Sequence, residues 1–173
     1  MSTEYEQAIE TAIKTCLEYN APPDDNGILF TGIERETGEV PTLKWRLFHV
    51  DDEPAEIDEE TDYPALELAI AAVGRVHAHD PMLLQARGQV IAMTHYGRDR
   101  KRQYLSQLTA AVTTHLLDRG RWTHLDLALP ETLGLAGLTM QSAEVEMPDN
   151  LQAQAWNINL HLITTTADTP FSS

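Results

Sequence analysis

The sequence predicts an α+β domain: a mostly antiparallel, mixed sheet of four to six strands with two main helices packed on one face. Three observations lead there. Strand-like runs outnumber helical ones and come in hairpin-length groups. Two segments, one at the N-terminus and one past the middle, carry apolar residues at spacings of three and four. The C-terminal third alternates apolar and polar residues with a period of two. A length of 173 residues suits one domain able to bury a core without cross-links. The expected extent is a single domain over 1–166, with an acidic loop at 51–62 and a frayed tail at 167–173.

The first element is a helix over roughly 3–19. Ser2 or Thr3 can cap it, Thr3 and Glu6 match a capping box, and the acids of the first turn suit the helix dipole. Ile9, Ile13, Cys16 and Leu17 form its apolar stripe. Pro22, Pro23 and Gly27 then break the chain. "ILFTGI" (28–33) and "TLKWRLFHV" (42–50) read as two strands of a hairpin; in the second, Leu43, Trp45, Leu47 and His49 face inward against Lys44, Arg46 and Phe48. After the acidic stretch, "YPALELAIAAVGRV" alternates as a strand at least to Ile70, with a helix as the competing assignment because Ala and Leu favour helices. "HAHDPMLLQARG" (77–88) reads as a connector, and 89–97 as a strand. The clearest helix spans 98–118, with the stripe Leu105, Leu108, Val112, His115 and Leu116, and Gly120 is placed for a left-handed cap. A strand follows from about Leu138 to Met147. The closing strand sets Trp156, Ile158, Leu160 and Leu162 against Asn157, Asn159, His161 and Ile163.

The most conspicuous chemistry is "DDEPAEIDEETD", in which eight of twelve residues are carboxylates: Asp51, Asp52, Glu53, Glu56, Asp58, Glu59, Glu60 and Asp62. A calcium loop needs oxygen ligands in fixed register and a glycine at its sharp turn. This stretch has neither, and Pro54 interrupts it, so it reads as a solvated loop. His77 and His79 would share one face of a strand, but no third ligand stands at a recognisable spacing and no H-E-x-x-H occurs. Cys16, the one cysteine, lies on a buried stripe and reads as a small hydrophobe; it also rules out an intrachain disulfide and fits a reducing compartment. There is no G-x-S-x-G elbow, P-loop or G-x-G-x-x-G. No catalytic, cofactor-binding or metal residues are assigned, and no enzymatic activity is expected. No apolar run is long enough to span a membrane, and the acidic start "MSTEYEQAIE" lacks the features of a signal peptide, so a cytosolic product is expected.

The basic residues hold one anomaly. Arg98, Arg100, Lys101 and Arg102 gather four of the chain's twelve Lys and Arg residues at the expected start of the long helix, where the dipole disfavours cations by roughly 0.3–1 kcal/mol each. The bland reading is a solvated first turn with a misjudged boundary. The sharper one is a subunit interface that sets this patch against the 51–62 carboxylates of a neighbour, as a head-to-tail ring would need. The formal net charge of −15 argues against binding nucleic acid, since phosphate neutralisation needs cations.

In its order of elements the chain resembles the tail-terminator proteins of long-tailed phages, of the minor tail protein U type, and shares parts of that order with head–tail connector proteins. The resemblance rests on the amphipathic first helix and strand pair, and on the polar loop meeting "YPALEL". It continues through "VIAMTHYGRDR" ahead of the helix "LSQLTAAVTTHLL", to "GLTMQSAEVEM" and the closing "AWNINLHLITT". It implies a virion structural protein, made in the host cytoplasm, that forms a hexameric ring at the head-proximal end of the tail tube. Such a ring stops tube polymerisation and joins the tail to the capsid connector. Its partners would be other copies of itself, the tail tube protein and the connector protein, with the genome passing through unbound and no cofactor. An acidic lumen fits passage of DNA. The alternatives are another neck or completion protein, a soluble acidic binding module, or a metalloprotein built on His77 and His79.

Overall fold

The computed structural model describes residues 4–19, 43–50, 64–77, 80–95, 103–117, 122–148 and 150–164. They form helix α1 (Glu4–Tyr19), strands β1 (Lys44–Leu47), β2 (Ala65–His77) and β3 (Asp80–His95), helices α2 (Gln103–Leu117) and α3 (Trp122–Ala128), and strands β4 (Leu133–Ala143) and β5 (Leu151–Thr164). The five strands make one sheet in the order β1-β2-β3-β5-β4. The β1–β2 pair is parallel and the other three pairs are antiparallel. The architecture is therefore α+β with a mixed, mainly antiparallel sheet, as the patterning predicts.

Period-two alternation decides which side of the sheet is covered. Leu66, Leu68 and Ile70 of β2, Leu84, Ala86, Val90 and Ala92 of β3, and Trp156, Ile158, Leu160 and Leu162 of β5 share one buried face. Against it pack Ile9, Ile13, Cys16 and Leu17 of α1, Leu108, Val112 and Leu116 of α2, and Leu125 of α3. Each large aliphatic side chain buried here contributes about 1.5–3 kcal/mol. On the opposite face Ala65, Ile91, Met93 and Ala155 form a smaller apolar cluster, closed by Val145, Met147 and Leu151.

Several expectations need correction. Residues 80–88 are not a connector: β2 and β3 form a long hairpin, and β3 starts at Asp80 rather than at residue 89. The consecutive Met82, Leu83 and Leu84 hide the alternation, and Pro81 falls in an irregular stretch between the pairs Arg75↔Leu84 and His77↔Asp80, where no regular ladder bond is lost. The alternative of a helix after Pro64 is excluded by the strand to His77. β4 begins five residues before the expected Leu138 and ends at Ala143, not Met147. A bulge between Leu135 and Gly137 shifts the phase, so Leu133 and Leu135 face the helices together with Leu138 and Met140. Beyond Ala143 the alternation persists outside the ladder, and Val145 and Met147 cover the second cluster. Helix α3 was not expected at all. Of the anticipated hairpin only β1 is described, paired to β2; residues 28–33, the cap at 2–3, Gly120 and the tail at 167–173 lie outside the described residues.

Candidate functional site

The residues singled out for subunit contact, Arg98, Arg100, Lys101 and Arg102 together with the eight carboxylates from Asp51 to Asp62, lie outside the described residues, as does His79. Their flanks are described. The acidic segment returns to the sheet at Ala65, the first residue of β2, and the basic segment leaves it after His95, the last residue of β3. Ala65 is in register with Met93, so both junctions sit at one end of the sheet, beside the second apolar cluster. The basic run precedes the described start of α2 at Gln103. His77 ends β2, at the other end of the β2–β3 hairpin.

The most tightly held polar cluster is one the sequence reading missed. Glu10 lies on α1 next to the Ile9–Ile13 stripe and is fully buried. Its Oε1 accepts the backbone N–H of His49 at 2.7 Å, and its Oε2 accepts the N–H of Ile70 at 3.1 Å. Oε2 also lies 2.6 Å from His49 Nδ1, with one proton between them. Gln7 Nε2 donates to the His49 carbonyl at 2.7 Å. A buried carboxylate is tolerable only when it is hydrogen-bonded on several sides, and here it has three donors.

The clamp also explains where the parallel ladder stops. Phe48 N–H donates to the Leu68 carbonyl at 2.9 Å, and beyond it the next β2 donor, Ile70 N–H, is taken by Glu10 instead of a strand. Lys14 Nζ stands 5.8 Å over the Trp45 ring and adds a second tie between α1 and β1. The inward placement of His49 was legible from alternation. Glu10 was not, because an acid one position from an apolar stripe usually reads as solvated.

The side of the sheet away from α1, α2 and α3 is the other notable surface. Successive rungs carry Gln89, Asn157 and Gln141, then Arg87, Asn159 and Thr139. They border a wide depression of about 860 Å³, with Ala69, Ala71 and Gly88 at its β2 side. Asn159 Oδ1 is buried there without a hydrogen-bond partner. A bulge at Ala71 presses β2 against β3 at this point: a Cβ on Gly88 would lie 2.5 Å from the Ala69 carbonyl oxygen and 2.8 Å from Ile70 Cδ1.

Among the described residues no three His, Cys, Asp or Glu side chains are grouped so as to hold a metal ion, and no helix is long and apolar enough to cross a membrane. Cys16 is buried. His115 is buried on α2 with Nδ1 2.7 Å from the Ala111 carbonyl, which fits a core histidine. Comparison with known proteins finds no matching family model and no curated relative.

Proposed function

We propose that this chain is a non-catalytic virion subunit of the tail-terminator type, which assembles as a ring on the head-proximal end of a phage tail tube. There it ends tube growth and offers a surface to the capsid connector. The observation that carries the reading is the order and layering of the described elements: an amphipathic first helix, a short strand, a long hairpin, a second helix, a short third helix and a closing hairpin, with the helices on one side of a single mixed sheet. The resemblance to tail terminators rests on part of this order as the sequence displays it: the amphipathic first helix, the strand at "YPALEL", the long helix "LSQLTAAVTTHLL" and the closing strand "AWNINLHLITT". The net charge of −15 supports it independently, since a ring traversed by DNA gains from walls that do not bind phosphate.

The direct test is electron microscopy of tail tubes polymerised with and without the purified protein. Tubes that acquire a ring at one end and stop lengthening are the expected result. Tubes of unchanged length with bare ends sink the reading.

A further inference from the structure

β4 is an edge strand of the described sheet, paired to β5 on one side only. It runs for 11 residues, Leu133–Ala143, with no charged residue and no proline among them. Edge strands are commonly guarded by charge, proline, a bulge or a covering element, because their outward N–H and C=O groups can pair with another chain. On the β2 side the sheet has such guards: β1 covers β2 from Ala65 to Leu68, and Glu10 takes the next outward donor, the Ile70 N–H. On β4 the guards stop early. The bulge lies between Leu135 and Gly137, and Asp126 Oδ1 accepts the Leu135 N–H at 2.8 Å.

That bond fixes which residues turn outward beyond it. Leu135 is in register with Leu162, and its N–H points away from β5. In an antiparallel pair, residues bonded to the partner strand alternate with residues whose N–H and C=O face away. Leu160, Ile158 and Trp156 keep the phase of Leu162, so the residues opposite them, Leu138, Met140 and Ser142, turn outward. Met140 is half-buried and Ser142 exposed. Among the described residues nothing accepts the N–H of either.

Side chains and charge define what fits this edge. Leu138 and Met140 pack on the main core, whereas Thr139 and Gln141 are exposed on the other face. A strand added here extends both faces, so its residues alternate between apolar and polar. Exposed Asp126 and Glu131 stand at the start of β4, and exposed Glu144 follows its end, with exposed Glu146 two residues on. An extended chain covers about 30 Å from Leu135 to Glu144, the length of a strand of about nine residues.

We propose that the edge of β4 over 138–142 takes up an extended segment of a partner protein by strand addition. The segment alternates apolar and polar residues at its centre and carries Lys or Arg at both ends. Backbone hydrogen bonds to Met140 and Ser142 hold it, and the carboxylates at the two ends of β4 select its flanks. A second β4 is the wrong occupant. Paired antiparallel, it sets Glu144 of each chain toward Asp126 and Glu131 of the other; paired parallel, it sets like against like. The site is independent of the ring, which is argued from residues 51–62 and 98–102.

The experiment is fluorescence anisotropy of labelled synthetic peptides titrated with the full chain. KKVTVTVKK should bind. KKVPVPVKK, with the same charges but without the alternate donors, and EEVTVTVEE, with the flanks reversed, should each bind about tenfold more weakly or worse. In hydrogen exchange, KKVTVTVKK should slow the amides of Met140 and Ser142 and leave those of α1 unchanged. Ser142→Pro removes an outward donor where an edge strand tolerates proline, and should weaken KKVTVTVKK by about tenfold with an unchanged circular dichroism spectrum. Glu144→Lys combined with Glu146→Lys, which leaves β4 itself intact, should shift the preference toward EEVTVTVEE. Equal binding of KKVTVTVKK and KKVPVPVKK would reduce the effect to charge attraction and overturn the proposal. So would unslowed exchange at Met140 and Ser142 with peptide bound, or self-association of the chain that protects the same two amides, which would make a second copy the occupant.

Discussion

Glu10 and Gly88 are the two residues whose replacement the structure penalises most clearly. Glu10 is buried and receives donors from the His49 backbone, the His49 ring and the Ile70 backbone. Glu10→Ala leaves those donors without an acceptor in a dry site and should cost about 3–5 kcal/mol. Glu10→Gln keeps the shape but turns an amide N–H₂ toward a backbone N–H, and should cost roughly half as much. Urea unfolding should show both as a lower midpoint with an unchanged slope, in that order; equal midpoints for Glu10→Gln and wild type would mean that the carboxylate is not needed. At Gly88 the obstacle is backbone. An added methyl would meet the Ala69 carbonyl at 2.5 Å, so β2 itself must move. Gly88→Ala should destabilise by about 1–3 kcal/mol, the usual cost of overpacking. A neutral result in the same assay would show that the Ala71 bulge can relax.

The elements differ in what holds them. α1 and β5 rest on continuous stripes of buried aliphatic residues, so truncating Leu160, which is fully buried, should cost about 2–5 kcal/mol. α3 is seven residues long and could not persist alone. It is pinned at both ends. Trp122 Nε1 donates to the Leu116 carbonyl at the end of α2 at 2.8 Å, and Asp126 Oδ1 accepts the Leu135 N–H at 2.8 Å, just before the β4 bulge. Trp122→Phe should remove about 1 kcal/mol. Asp126→Ala, at an exposed bond, should change global stability little but speed amide exchange at Leu135; protection unchanged there would count against the pin. These features also mark where the sequence was readable. The stripes of α1 and α2 and the alternation of β1 and β5 are periodic and stood out. α3 was missed because the 122, 125, 129 spacing spans barely two turns. The early part of β4 was missed because a bulge displaces the period, and the early part of β3 because three successive apolar residues erase it.

For the whole molecule the functional question is where charge is placed. The acidic segment rejoins the sheet at Ala65 and the basic segment leaves it after His95, so the fold anchors both at one end. A ring contact pairs them between neighbours, whereas a contact within one chain pairs them locally, and one experiment separates the two. Arg100→Glu combined with Lys101→Glu should lower the mass measured by light scattering under assembly conditions, while leaving the melting temperature nearly unchanged. Unchanged mass with a lower melting temperature would assign the charges to the single subunit. The sequence by itself determined the fold class, the two main helices, the inward faces of β1 and β5, and the anionic character. Each of these is set by local periodicity or composition, and burial of an apolar face leaves little choice of side. Only the tertiary structure decided the strand order, the parallel edge pair, the β2–β3 hairpin through Pro81, and the burial of Glu10. These depend on register and on tertiary partners, which no local pattern encodes; for Glu10 the partners lie 39 to 60 residues away in the chain.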